Sequence, residues 1–348
     1  MRKVIAAAKG ATRPAVALLV LVLAAASRAQ APPALEIYVI DVEGGQATLV
    51  VSPAGESMLV DAGWPGFDGR DADRIATAVK QAGLSHLDYL VVTHYHRDHV
   101  GGVPELVTRV PVKTFVDHGP SVETGPAAAA LFNAYLEVRK TGHHLQVKPG
   151  DVLPMRDVDI RVVASDGELI SRPLTMGSSN PLCGSFTPRA PDPGENARSV
   201  GLAIGYGAFR MLDLGDLTWN KEHDLVCPTN LLGTFDVYLA THHGTDTSGP
   251  AVIVHAIRPR VAVMNNGATK GGSRSAWRII RDAPGLRDLW QIHHAVAGGA
   301  DHNSPAPFLA NLDETTAHGI RITARPDGSF TVTNDRNGHS RRYAPAKR

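Results

Sequence analysis

The sequence is poor in cysteine, in net charge and in long apolar runs, and each shortage excludes a class of protein. Its only cysteines, Cys183 and Cys227, do not lie in the spacing of a cysteine-rich metal site, which argues against thiolate ligands. Beyond residue 26, no apolar run reaches the roughly 20 residues that a transmembrane helix needs.

The formal net charge is only +1, whereas nucleic-acid recognition usually needs a basic patch or stripe. We therefore expect a small-molecule substrate and no nucleic-acid partner. The low net charge does not exclude a local basic cluster, although basic residues separated in this way more often form a solvated face. The residues concerned are Arg258, Arg260, Lys270, Arg274 and Arg278.

The first residues have the layout of a secretory signal peptide. An apolar run from 15 to 26 is followed by small residues at 27, 29 and 31, and basic residues precede it at Arg2, Lys3, Lys9 and Arg13. We predict a signal peptide over 1–31, an exported (periplasmic or secreted) single domain over 32–348, and no stable membrane span after cleavage. A retained anchor is the alternative. In an oxidising compartment the two cysteines could pair, the alternative being two buried free thiols.

The most informative feature is the run Thr93-His94-Tyr95-His96-Arg97-Asp98-His99, which follows the apolar stretch 87–92. If the preceding strand stops at His94, then His94 and His96 project the same way, because side chains alternate along an extended chain. Asp98 and His99 come where the chain turns toward Gly101 and can reach a second ion a few Å away. The motif predicts two half-sites for metal ions; a helix-capping loop, which needs one acceptor, is the weaker interpretation.

This motif resembles the His-x-His-x-Asp-His signature of the metallo-β-lactamase superfamily, which implies an α/β fold, a four-layer αββα sandwich. Three further segments agree with the resemblance in the expected order: 58–63, ending in Asp-x-Gly; 209–216, an apolar strand ending in Gly-Asp; and 237–248. The last is similar to the His-His-Gly-Ser segment of the subgroup that includes the hydrolase-like domain of the DNA-uptake competence channel.

The resemblance implies the remaining ligands. Asp216 would bridge both ions; Asp213 is the competing candidate, but it alternates inside the apolar run. His243 is the favoured later ligand with His242 as neighbour or substitute, and the sequence does not order this pair. Asp61 would orient an imidazole from beneath the site, as such ligands nearly always require.

One departure from the family concerns the histidine that its members commonly place after a strand like 159–164, where this chain has Ser165-Asp166-Gly167. The alternatives are His118, at the end of another predicted strand, and the pair His143-His144. We favour His118, because strand ends on one edge of a sheet converge on the same crevice.

The predicted chemistry is hydrolysis. Two divalent ions, zinc by default with manganese or iron as alternatives, would lower the pKa of a bound water. Asp98 and His302 are the predicted catalytic residues; other candidates for a general acid are His242, His293 and His294. Three functions stay open: a phosphodiesterase or other esterase, a β-lactamase or lactonase, and a non-catalytic binding module. The sequence does not indicate the oligomeric state.

Secondary structure is predicted from periodicity and turn residues. Ile75, Val79 and Ala82 at helical spacing predict a helix over 71–82, and an alanine-rich stretch predicts another near 126–140. The segment from about 165 to 197 is rich in Pro, Gly and Ser, and its length predicts a lid or rim over the site.

Overall fold

Two nine-stranded sheets organise residues 33–346 of the computed structural model, which describes this range together with residues 1, 3 and 10. Apart from those three positions, the predicted signal peptide lies outside the described residues. Residues 33–346 form one compact unit by themselves. None of the described helices combines the length and the apolar character that a membrane crossing requires.

The strands follow one another along the chain as β1 Leu35–Val39, β2 Thr48–Val51, β3 Ser57–Val60, β4 Leu87–Val91, β5 Val112–Asp117, β6 His143–Gln146, β7 Val152–Leu153, β8 Asp159–Ser165, β9 Glu168–Leu169, β10 Ser178–Ser179, β11 Gly201–Tyr206, β12 Phe209–Asp213, β13 Thr229–Asn230, β14 Val237–Leu239, β15 Val261–Met264, β16 Asp288–His293, β17 Leu309–Asn311, β18 Ile320–Ala324, β19 Phe330–Asn334 and β20 Ser340–Tyr343. The first sheet has the order β20-β19-β18-β1-β2-β3-β4-β5-β6. The second has the order β17-β16-β15-β14-β12-β11-β8-β7, with β9 beside β8.

Helices cover the outer face of each sheet, and their bounds are α1 Arg70–Gln81, α2 Arg97–Val100, α3 Val103–Val107, α4 Pro126–Arg139, α5 Trp219–Asp224, α6 Ala251–Ile257 and α7 Arg274–Arg281. The inner faces of the two sheets share one apolar core, which includes Ile37 and Met211. Ile75 of α1 and Tyr135 of α4 pack on the first sheet, and Ile253 of α6 packs on the second. The architecture is the expected four-layer αββα sandwich.

Local sequence explains most of these elements. Helix α1 buries Ile75, Ala78 and Val79, which lie on one face at helical spacing. The helices predicted over 71–82 and 126–140 are confirmed as α1 and α4. Strand β6 was not predicted, because all four of its residues are exposed and leave no apolar alternation to recognise.

The parallel strands position the functional loops. Strands β3 to β6 run parallel within the first sheet, and β12, β14, β15, β16 and β17 run parallel within the second. Carboxyl ends of parallel strands meet at one edge of a sheet, which is where open α/β sheets bind ligands. The loops after β4, β12 and β14 carry the histidines and aspartates considered below.

A disulfide joins Cys183 to Cys227, 44 residues apart. Of the two states left open for these cysteines, the structure has the paired one. The bond ties the long segment between β9 and β11 to the residues after α5.

Candidate metal centre

Four buried side chains from distant parts of the chain converge on one point. Ligand atoms of Asp98, His99, Asp216 and His243 all lie within 4.8 Å of one another. The Nε2 atoms of His99 and His243 are 3.2 Å apart, and Nε2 of His243 is 3.2 Å from Oδ2 of Asp98. Two imidazoles and two carboxylates at these separations are a donor set suited to a divalent ion.

A second pair of imidazoles faces the same carboxylate. Nε2 of His94 lies 3.0 Å from Nδ1 of His96 and 4.0 Å from Oδ2 of Asp216. The same Asp216 oxygen is 3.3 Å from Nε2 of His99. Asp216 therefore stands between the His94–His96 pair and the other three residues of the cluster.

Asp61 and Thr93 fix which nitrogen of two imidazoles carries the proton. Oδ2 of Asp61 accepts hydrogen bonds from Nδ1 of His99 and from the Thr93 hydroxyl, both at 2.7 Å. Because that hydroxyl proton is used, Thr93 Oγ1 can only accept from Nδ1 of His94, at 3.1 Å. In its neutral form each ring thus turns an unprotonated Nε2 toward Asp216, as metal-binding imidazoles do when their other nitrogen is held.

Burial and charge act in opposite directions in this cluster. Burial alone would raise the pKa of Asp216, but the imidazoles of His99, His243 and His242 outweigh it and hold the pKa well below its ordinary value. Burial likewise lowers the pKa of His94 well below its ordinary value. For His99 the neighbouring Asp216, Asp98 and Asp61 overcome burial and raise the pKa well above its usual range.

The cluster fits divalent cations. Oδ1 of Asp216 is buried and has no hydrogen-bond partner among the described residues, an arrangement that is costly unless a cation is bound. The carboxylates of Asp98 and Asp216 also face nitrogen atoms whose protons a bound metal would replace. With Asp216 shared, the ligands divide into His94 and His96 on one side and Asp98, His99 and His243 on the other.

Asp213 lies apart from the cluster. Its two oxygens accept from Nε2 of Gln46 at 3.1 and 3.0 Å, and Oδ1 also accepts from the amide of Gly215. Burial raises the pKa of Asp213 to about 6. Of the two candidates for the shared carboxylate, the structure brings Asp216 to the other ligands. Asp213 instead holds the amide of Gly215, the residue just before Asp216.

His118 is placed differently from the prediction. Its ring is fully buried, and Nε2 lies 3.0 Å from Oε2 of Glu195. That carboxylate also accepts from the amides of Tyr95 and Val122. His118 therefore helps to fasten the segment before β11 onto the loop after β5, and the structure does not bring it into the cluster. The sequence could not show this because Glu195 is 77 residues away.

The structure also places His302, one of the predicted catalytic residues, outside this cluster. Nε2 of His302 accepts a hydrogen bond from Nε of Arg278 at 2.9 Å, and the ring contacts Trp277 edge-on. Both partners belong to α7. The histidine thus attaches the loop after β16 to a helix on the outer face of the second sheet.

His293, another candidate acid, lies in a separate group of ligand-type side chains with Asp41 and Glu43. Arg74 occupies this group, with Nη1 3.3 Å from Asp41 and 3.1 Å from Glu43. Burial would lower the pKa of His293, but the hydrogen bond to Asp41 outweighs it and raises the pKa. These four residues form a partly buried ion-pair network with its own cation.

Lys270 is a site residue that the sequence indicated only as a member of a basic cluster and not as part of the metal site. Its ammonium contacts Oδ2 of Asp98 and stands 5.0 Å from the centre of the Trp64 ring. The signal that could have found it is its position on the loop after β15, at the same sheet edge as the ligands. Gly44 and Gly45 make room beside it, since a Cβ at Gly45 would lie 2.5 Å from the carbonyl oxygen of Asp98.

The long segment between β9 and β11 borders the site at His242. Arg189, Trp219 and Thr247 line, with His242, a cavity of about 180 Å³. The Arg189 guanidinium stacks on the Trp219 indole, 3.9 Å from the ring centre. The segment is a rim on one side of the ligand cluster.

Comparison with known proteins agrees with this geometry. The family described as the metallo-beta-lactamase superfamily matches residues 40–192, which contain the whole His94–His99 motif. This is a metallo-β-lactamase-fold protein. Its second sheet, which supplies Asp216 and His243, continues the same fold beyond the matched residues.

Three curated relatives are similar over different lengths. Ribonuclease Z of Methanosarcina acetivorans is 27% identical over 231 residues, covering 64% of this chain and 69% of the relative. ComE operon protein 3 of Bacillus subtilis is 26% identical over 189 residues, 53% of this chain and 20% of the relative. Hydroxyacylglutathione hydrolase of Aliivibrio salmonicida is 42% identical over 59 residues, 17% of this chain and 22% of the relative. The chain thus spans about a fifth of the last two relatives, and its resemblance to ComE operon protein 3 is to a part of that protein.

Proposed function

We propose that this protein is an exported hydrolase that cleaves phosphodiesters or related esters with a water activated at a two-metal site. The observation that carries the proposal is the position of Asp216, whose carboxylate lies between two separate groups of ligand atoms. Either group without the other would support a single ion only.

Two bound divalent ions would supply a water of lowered pKa and would polarise the oxygen of the bond that breaks. The chain's own residues prepare for this. Asp61 and Thr93 hold His99 and His94 in the tautomer that can bind a metal. The mixed nitrogen and oxygen donors suit zinc, and manganese or iron accept the same set.

Lys270 supports an anionic substrate. Its ammonium stands beside the ligand cluster and is 31% exposed, so a substrate can reach it. Once Asp98 is engaged by a cation, this ammonium is free to hold a negatively charged oxygen. A ribonuclease and a hydroxyacylglutathione hydrolase among the relatives favour phosphodiester and other ester substrates, respectively.

Export is supported by the disulfide between Cys183 and Cys227, because such bonds persist in oxidising compartments. The basic and then apolar pattern of the first residues agrees with it. Fractionation of the producing cells and N-terminal sequencing of the mature protein would test export; an uncleaved cytoplasmic protein would refute it.

The activity is tested with the purified full-length protein loaded with zinc or manganese. We expect hydrolysis of bis(p-nitrophenyl) phosphate, loss of that activity in Asp216→Asn, and a raised KM in Lys270→Met that Lys270→Arg restores. A lactone and a chromogenic cephalosporin are the comparison substrates. Turnover of the cephalosporin alone would replace the proposal by a β-lactamase, and a protein that holds no metal would be a binding module on the hydrolase fold.

A further inference from the structure

The first half-site, formed by His94 and His96, lacks a ligand where the family commonly has a histidine. That place follows β8, and Ser165 stands there with its hydroxyl donating to the carbonyl of Val147 at 2.7 Å. His118 is held by Glu195, as described above. The two imidazoles and a share of Asp216 would leave this ion with fewer protein ligands than the other.

His242 lies against the same carboxylate from another part of the chain. Its Nε2 is 3.3 Å from Oδ2 of Asp216, the oxygen that also faces His94. Nε2 of His243 is 3.4 Å from the other oxygen, Oδ1. Adjacent side chains of an extended segment would point to opposite faces, so reaching one carboxylate with both rings requires a special backbone.

The turn after β14 provides that backbone. His242 has φ 55 and ψ 43, and His243 has φ 55 and ψ 19, so both residues are in the left-handed region. For residues with a Cβ this conformation is sterically unfavourable. Such strain is commonly kept where function requires it.

Two hydroxyls contact Nδ1 of His242, Thr247 Oγ1 at 3.0 Å and Ser248 Oγ at 3.2 Å. Ser248 Oγ donates its only proton to the carbonyl of Leu217 at 2.7 Å. Toward Nδ1 of His242, 3.2 Å away, this hydroxyl can therefore only accept. Thr247 can likewise accept from Nδ1 when it donates to Thr245 Oγ1 at 2.8 Å. A neutral ring protonated at Nδ1 satisfies both hydroxyls, and its Nε2 then turns a lone pair toward a carboxylate oxygen. Two acceptors 3.3 Å apart repel each other unless a cation binds to both.

We propose that His242, through Nε2, is the third imidazole of the first half-site, completing the set begun by His94 and His96. Ser248 is its positioning residue. This inference rests on the two-metal site of the proposed function and assigns to His242 the role that the family commonly gives to a histidine after β8.

The test measures metal binding and not activity. Full-length wild type and His242→Gly are loaded with cobalt(II), and the bound metal is counted by elemental analysis while the cobalt absorption spectrum is recorded. Glycine removes the ring yet accepts the left-handed backbone at no steric cost, which protects the fold. We expect two ions in the wild type, one in the variant, and loss of the cobalt bands of one site.

Two further variants sharpen the result. The double variant Thr247→Val, Ser248→Ala keeps the ring but removes both hydroxyls at Nδ1, and we expect the affinity of one ion to fall about 10- to 100-fold. His143→Ala removes an exposed imidazole from β6 as the matched control and should keep both ions.

Two ions bound by His242→Gly with the wild-type spectrum would overturn the inference, even if the variant had lost activity as it would without a general acid. Loss of an ion from His118→Gln but not from His242→Gly would overturn it too. A wild type that binds no metal would instead refute the proposed function itself.

Discussion

Replacing Asp61 by asparagine is expected to separate metal binding from folding. Asp61 is fully buried and accepts three hydrogen bonds of 2.7 Å, from the amide and hydroxyl of Thr93 and from Nδ1 of His99. Its φ is 60, a conformation that asparagine tolerates better than most residues. The variant Asp61→Asn should therefore keep the backbone and change only the hydrogen bonds of one side-chain atom.

In Asp61→Asn the side-chain oxygen can still accept from the Thr93 amide, but the new NH₂ group must face Nδ1 of His99. That nitrogen then has to accept, so the ring proton moves to Nε2 and blocks the lone pair that faces Asp98 and Asp216. Loss of such a supporting partner typically lowers metal affinity 10- to 100-fold, or about 1.4–2.7 kcal/mol. The altered hydrogen bonds should lower the free energy of unfolding of the metal-free protein by about 1–3 kcal/mol.

The assay is a titration of metal-free protein with zinc in competition with a chromophoric chelator, beside urea unfolding of the same samples. Asp213→Asn is the matched control, because Asp213 is equally buried but accepts from Gln46 and not from a ligand. We expect its zinc affinity to stay within a fewfold of wild type. If Asp61→Asn bound zinc as tightly as wild type, the argument from the His99 tautomer would be wrong.

Three other predictions address the site, the pH dependence and the disulfide. His96→Ala should lose most activity and metal while its circular dichroism stays native; normal turnover would contradict the ligand assignment. Burial raises the pKa of Glu222 from 4.5 to about 8, so its contribution to stability is complete below pH 4.5 and is lost as pH rises through 8, by roughly 5 kcal/mol at about 1.4 kcal/mol per pKa unit. Glu222→Gln should remove this loss and be the more stable protein in urea at pH 9, whereas parallel curves would show that Glu222 is not held neutral. Replacing Cys183 and Cys227 by serine opens a loop closed over 44 residues and should cost about 2–4 kcal/mol of unfolding free energy; an unchanged urea midpoint would show that the bond adds nothing.

The sequence indicated the fold and much of the site because those signals are local. His94, His96, Asp98 and His99 fall within six residues after an apolar strand, and strand geometry relates their directions without further information. Helix α1 was predictable for the same reason, because the helical spacing of Ile75, Ala78 and Val79 indicates which face of the helix is buried.

Contacts between remote segments could not be read in this way. His118 ends a strand at the expected edge, yet its partner is Glu195 and not a ligand. His302 is held by α7, and Lys270 reaches Asp98 across 172 residues. Each of these outcomes depends on the path of a loop, and loop paths follow from packing against the rest of the molecule.

The amino-acid sequence alone determined which side chains were available to bind a metal. It also determined that the first of these side chains would lie at a sheet edge, where a strand ends. Only the tertiary structure decided between Asp213 and Asp216, and only the left-handed turn after β14 let both His242 and His243 face one carboxylate. The physical reason is that ligand geometry requires atoms to meet within a few Å, and here the packing of two sheets face to face brings together residues more than 100 positions apart along the chain.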